Sequence, residues 1–267
     1  MSINVGLSTA TFFPQWETED TFQVIEGLGV DTCEVFLRTF SEYEESFSDL
    51  LQERVGKVLS VHSVHSLNSH FEPELFNIGD RTRNDAEVLF RKVCSAGKKL
   101  NAKFYTFHGP SILKRDTYKL NEKRVGEVCA RLTSISGEYG IKLSYENVYW
   151  AYYNFPEFFP LIEAYAPDLY ATLDIKQAKR AGISHFDFLK KMGKKLSTVH
   201  LSDYNNQGTL CVPGKGVVDF YRLFCEINNY GIDVDCMIEL YKDDYSSLDE
   251  LKESVDFLKN VAFKANR

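Results

Sequence analysis

Four side chains able to ligate a metal or move a proton close four short apolar runs in the second half of the chain. They are Glu146 in IKLSYENV, Asp174 in YATLDIK, His200 in STVHLSD and Glu239 in CMIELY. Each run reads as a buried strand, and an ionised group at the end of a buried strand is costly unless it is paired or bound to a cation. One such residue on each of four strands points to a shared centre. Carboxylate oxygens with an imidazole suit one divalent ion such as Mn²⁺, Zn²⁺, Co²⁺ or Mg²⁺. The first half adds Glu34 at the end of TCEVFL, His62 and His65 in VLSVHSVHS, and His108 in FYTFHGP. Recurrence at the same place in successive units makes His62 and His108 candidates for direct contact with a substrate. A lone strand histidine is ordinarily a hydrogen-bonded core residue, and His65, His70 and His185 take that reading.

The elements that must position these residues alternate from end to end. Strand-like runs occur at INVGLST, TCEVFL, VLSVHSV, KFYTFHG, IKLSYENV, YATLDI, STVHLSD and DCMIELY. Amphipathic stretches lie between them. RNDAEVLFRKVCSAGKKL carries apolar residues at Ala86, Leu89, Phe90, Val93 and Cys94, a helical spacing. NEKRVGEVCARLTSISGEYG and DFYRLFCEINNYG end in Gly140 and Gly231, expected helix stops. SSLDELKESVDFLKNVAF opens on a Ser-x-x-Asp/Glu cap at Ser246 or Ser247. Eight strands alternating with about eight helices in 267 residues predict a single-domain (β/α)₈ TIM barrel over 1–267. A doubly wound open sheet that binds a dinucleotide would need a glycine-rich first turn, which LSTATFFPQW lacks. Polar residues at strand C-termini fit the barrel, whose active sites lie on that face.

Hydrophobic residues make up 44% of the chain and charged residues 26%, enough for one large core. The net charge of −7 argues against nucleic-acid binding through a basic face. The six cysteines form no Cys-x-x-Cys pair and read as reduced. The opening MSINVGLSTATFF has neither the basic start nor the long apolar stretch of a secretory signal, and no apolar run approaches a membrane span. A soluble cytoplasmic protein is expected, without membrane association.

In this order, H-x-x-H at His62, FHGPS at His108, EN at Glu146, LD at Asp174, HLSD at His200 with Asp203, PGKG at Pro213 and IEL at Glu239 resemble the xylose isomerase-like barrels. That superfamily includes sugar epimerases and isomerases and the endonuclease-IV-type AP endonucleases. In the epimerase branch the resemblance implies one divalent metal on Glu146, Asp174, His200 and Glu239, with Glu146 and Glu239 doubling as the acid/base pair. A sugar carbonyl beside a hydroxyl would be polarised for proton loss, and a glutamate would return the proton to the other face or the other carbon. The nuclease branch implies three zinc ions. Six of its nine positions match, at His62, His108, Glu146, Asp174, His200 and Glu239. Gln177 stands where that branch has a histidine, and the loop after the seventh strand, YNNQGTLCVPGKG, lacks its Asp-x-His. A second ion on His62, His108 and Glu146 remains compatible with the sequence.

Further substrate contacts are expected at Gln177, where sugar epimerases often carry a histidine that holds substrate oxygens, and at Lys176, a cation able to replace such a family residue. Lys215 of the PGKG loop is another, because barrels often bind phosphate after strands seven and eight. Trp16 and Trp150 are candidate aromatic walls. Three readings follow. The leading one is an isomerase or epimerase of a monosaccharide, its phosphate or an inosose, with a small-molecule sugar as partner and assembly as a homodimer or homotetramer. The others are a metal-dependent phosphodiesterase and a non-catalytic sugar-binding barrel.

Overall fold

The computed structural model describes residues 3–56, 59–112 and 121–267. Eight parallel strands close into a barrel in the order β1-β10-β7-β6-β5-β4-β3-β2. They are β1 (Ile3–Ser8), β2 (Thr32–Leu37), β3 (Ser60–Ser66), β4 (Phe104–Phe107), β5 (Lys142–Glu146), β6 (Tyr170–Asp174), β7 (Leu196–Leu201) and β10 (Val234–Ile238). All eight expected runs form these strands. Val58 of the third run lies outside the described residues. A two-stranded antiparallel ribbon, β8 (Asp203–Tyr204) and β9 (Leu210–Cys211), follows β7.

The outer layer contains α1 (Thr21–Gly27), α2 (Glu45–Val55), α3 (Asp80–Lys99), α4 (Glu122–Glu138), α5 (Phe158–Glu163), α6 (Ile175–Arg180), α7 (His185–Met192), α8 (Phe220–Asn228) and α9 (Leu248–Ala265). Their apolar stripes face the barrel, as Phe90, Val93, Cys94 and Gly97 do in α3. Gly140 and Gly231 follow α4 and α8 with positive φ, a conformation that favours glycine and stops a helix. Ser247 caps α9 by accepting from Glu250 N. No helix among the described residues is long and apolar enough to cross a membrane.

Two features of the barrel interior bear on the site. Its N-terminal half is polar: the hydroxyls of Ser144, Thr172 and Ser197 bond one another at 2.6–2.7 Å. Second, β2 and β3 change register between Cys33 and Glu34. In a regular strand, His62 and His65 would face opposite sides of the sheet. The irregularity brings both inside, at different depths. Gly6 of β1 has no space for a side chain, because a Cβ would strike the Met237 sulfur and the Thr32 carbonyl.

Candidate metal centre and active site

Strand pairing sets the four candidate ligands at one level. Glu146 closes β5 and pairs in register with Thr172, Asp174 closes β6 opposite His200, and Glu239 follows β10. Asn147 ties the first two together: its Oδ1 accepts from Asp174 N at 2.8 Å and its Nδ2 donates to Asp174 O at 3.0 Å. Asp174 also caps α6, its Oδ1 accepting from Gln177 N at 2.7 Å, which leaves Oδ2 for the interior.

Around His200 Nδ1 lie Glu239 Oε2 at 3.3 Å, Glu146 Oε2 at 3.7 Å and Asp174 Oδ2 at 3.8 Å. All four residues are buried. Glu146 Oε2, Asp174 Oδ2 and His200 Nδ1 have no hydrogen-bond partner. Buried polar atoms are ordinarily satisfied, and three orphans converging on one point call for a cation. Ligand atoms about 2.1 Å from one ion sit about 3.0–3.4 Å from each other. The observed spacings are near that range, so this donor set fits a divalent ion.

The next layer supports the same reading. His200 Nε2 lies 3.1 Å from Glu34 Oε1, so a proton on Nε2 leaves the Nδ1 lone pair for the cluster. Glu34 is fully buried and also accepts from Ser63 Oγ and Thr106 Oγ1, each at 2.8 Å. It lies inside β2 and not at its end, the position expected from sequence. Burial opposes its charge, and the His200 and His65 imidazoles outweigh burial, holding its carboxyl well below the usual range. Asp174 goes the other way. Burial pushes it up to about 6 despite the nearby Lys176 ammonium.

A second cluster adjoins the first. His65, His108 and Glu146 bring ligand-type atoms together, as do Glu34, His65, His200 and Glu239. His65 Nε2 and His108 Nε2 lie 2.9 Å apart, and each is within 3.7 Å of Glu146 Oε2. Glu72 anchors His108 from behind, accepting from its backbone N at 2.8 Å with its imidazole Nδ1 at 3.4 Å. Ser66, Asn68 and Tyr105 also donate to Glu72. Its segment, SHFEPEL, carries no strand pattern, so only the fold reveals its place.

A cavity of about 590 Å³ opens above the cluster, walled by Phe13, Phe36, Leu67, Trp150, Leu240 and Tyr241. His108, Lys176 and Gln177 also line it. Lys176 is buried, with Nζ 3.4 Å from Glu239 Oε2 and 4.5 Å from the Tyr241 ring centre. Gln177 presents an unpartnered Oε1.

Three expected positions fall elsewhere. His62 sits deeper in the barrel, where Nε2 bonds Thr198 Oγ1 at 2.9 Å and Nδ1 lies 3.1 Å from Asp235 Oδ2. His65, which the sequence leaves as a core residue, occupies the cavity in its stead, and the possible second-ion set becomes His65, His108 and Glu146. Trp16 is not among the lining residues, whereas Phe13 is. Lys215 is exposed and pairs with Glu253 of α9 at 2.9 Å, so it points along the helical layer and not into the cavity.

The profile of the xylose isomerase-like TIM barrel family matches residues 22–261. No curated protein sequence matches the chain. Among solved structures, a D-tagatose 3-epimerase-like protein superposes with a TM-score of 0.75 at 18% identity, covering 97% of this chain and 99% of that one. D-psicose 3-epimerase from Clostridium cellulolyticum H10, solved with D-tagatose, gives 0.75 at 15% identity over 97% and 99%. An IOLI protein with a bound zinc atom gives 0.73 at 16% identity over 98% of each chain. At such identities the superpositions establish a shared fold. With a closed eight-stranded barrel and a family profile spanning nearly its whole length, the chain belongs to the xylose isomerase-like TIM barrel family.

Proposed function

We propose that the protein is a divalent-metal-dependent isomerase or epimerase of a monosaccharide or a related polyol ketone, working by proton transfer next to a carbonyl. The observation that carries this reading is the convergence of Glu146 Oε2, Asp174 Oδ2 and His200 Nδ1, buried and unpartnered, with Glu239 Oε2 beside them. The similar folds named above include a sugar 3-epimerase, a 3-epimerase-like protein and a protein with a bound zinc atom, which supports it. Glu146, Asp174, His200 and Glu239 would hold the ion. It would supply electrostatic stabilisation for the oxyanion that forms when the proton leaves.

The chain's own groups handle the proton. Glu146 and Glu239 come from strands on different sides of the barrel mouth, so one takes the proton from carbon and the other returns it to the opposite face or the neighbouring carbon. The Lys176 ammonium holds Glu239 in place and is a donor for a substrate oxygen. His65 and His108 present imidazoles beside Glu146 for substrate hydroxyls. The aromatic wall excludes water from the carbanion-like intermediate.

The test is deuterium incorporation from D₂O into a panel of ketoses with Mn²⁺ present. Glu146→Gln and Glu239→Gln should each lower exchange by about 100-fold or more. Exchange that survives both changes rules out the two-glutamate mechanism. The triad of His65, His108 and Glu146 favours a second reading, a two-metal phosphodiesterase. Elemental analysis separates the two: one ion per chain supports the isomerase, two the hydrolase.

A further inference from the structure

We infer that the substrate is unphosphorylated: an uncharged ketose or polyol ketone whose carbon tail lies along the apolar wall. This deepens the proposed function and rests on it. Barrels that bind a phosphate ester commonly do so with backbone N–H groups of the loops after the seventh and eighth barrel strands. In this chain carboxylates of the protein itself occupy those donors. Asp203, fully buried just past β7, accepts from Gly214 N, Gly216 N and Val218 N at 3.0 Å each, and from Tyr204 N at 2.8 Å. The PGKG segment is therefore wrapped around an internal anion. Gly216 has no side chain because a Cβ would strike that carboxylate and the Tyr204 carbonyl. After β10 the pattern repeats, with Asp244 Oδ2 accepting from Tyr241 N at 2.8 Å. At the start of α8, Asp219 accepts from Arg222 N at 2.9 Å.

The cations at the cavity are likewise engaged. Arg38 lines it with its Nη2 2.6 Å from Glu17 and 3.6 Å from Glu42 and the Phe13 ring over its guanidinium at 4.6 Å, while its buried Nε lacks a partner. Lys176 faces Glu239. The cavity floor holds the carboxylates of Glu146 and Glu239, with Asp174 beside them in the same cluster and Glu34 and Glu72 behind. A phosphate dianion entering here would meet, besides the proposed ion, aromatic rings and three basic side chains that each already face a carboxylate: Arg38 faces Glu17 and Glu42, Lys176 faces Glu239, and His108 faces Glu72. To bind the phosphate these groups would have to give up their carboxylates, and the displaced carboxylates would repel the dianion. An uncharged sugar tail has its C–H faces against Phe36, Trp150 and Tyr241 at no such cost.

The experiment compares kcat/KM for deuterium exchange between free ketoses and their terminal phosphate esters, using the Mn²⁺-loaded full chain. The expected result favours the free ketoses by about 100-fold or more. Inorganic phosphate at millimolar concentration should leave exchange into the free ketose unchanged. Equal or faster exchange into the phosphate esters overturns the inference and leaves the proposed isomerase standing. Competitive inhibition by inorganic phosphate overturns it as well. No exchange into either class by protein carrying one ion per chain refutes the proposed function, and the inference falls with it.

Discussion

Glu34 shows how much the candidate metal centre depends on a residue behind the four proposed ligands. Its carboxylate lies within hydrogen-bond distance of both His200 and His65 and is held by three hydroxyls, of Ser8, Ser63 and Thr106. Glu34→Gln keeps the volume but removes the charge and turns one of its two acceptor oxygens into a donor, which weakens its hold on the His200 tautomer. The expected outcome is about 10- to 100-fold weaker ion affinity, read by metal titration. Unchanged affinity would show that His200 is oriented by something else. The two histidines of β3 give a second contrast. His65→Asn should abolish exchange, because it removes an imidazole beside Glu146. His62→Asn should retain exchange yet lose about 1–3 kcal/mol of stability, since it breaks buried contacts to Thr198 and Asp235. Reversal of these two results would place the substrate beside His62 and overturn the assignment to His65. Sequence reading favours His62, which the structure places deeper in the barrel and away from the cavity lining, and the reason is physical. Four candidate ligands are legible because each interrupts an apolar run. His62 and His65 sit in the same run, and the register change between β2 and β3 that decides their depths leaves no mark in residue types.

At the scale of elements, all eight barrel strands were legible from β-branched and aromatic runs, and the long helices from their 3.6-residue stripes and caps. The segment between β7 and α8 was not. Its ribbon and its turn around Asp203 depend on one buried carboxylate meeting four amides from separate positions, a tertiary event without local periodicity. From sequence, PGKG offers Lys215 as a substrate contact or else a tight turn with an exposed lysine, and residue types do not show that its amides already have an internal partner. Gly216→Ala tests the tightness of that wrapping. The added methyl has backbone and a fully bonded carboxylate as neighbours, so neither can move aside cheaply. A loss of about 1–3 kcal/mol is expected in chemical denaturation, with ion content retained. A variant as stable as the parent would mean that the loop relaxes freely and that its amides are open to a ligand.

For the molecule as a whole, a closed barrel leaves no edge among its eight strands, and the helical layer completes the core. That frame tolerates a cluster of buried acids at one mouth, and it also contains groups that make it sensitive to acid. His185, in the helical layer on α7, is held neutral: burial, then the Arg222 guanidinium, push it down to about 4. Between about 6.5 and 4 the unfolded chain therefore binds a proton at His185 that the native protein refuses, so stability falls as pH drops through that window. Asp235 continues the trend at lower pH. Burial opposes its charge, but the His62 imidazole lowers its carboxyl to about 2, and its stabilising contribution is lost between about 3.8 and 2. Asp174 opposes the trend in ion-free protein, because its raised value of about 6 makes the native state the better proton acceptor above 3.8. Comparison with a His185→Gln variant cancels the Asp174 and Asp235 contributions. From pH 7 to pH 4 the parent should lose about 1–2 kcal/mol relative to the variant, allowing for partial solvent screening of His185. A difference that stays flat across that range would show that His185 is protonated as readily in the folded protein as in the unfolded chain.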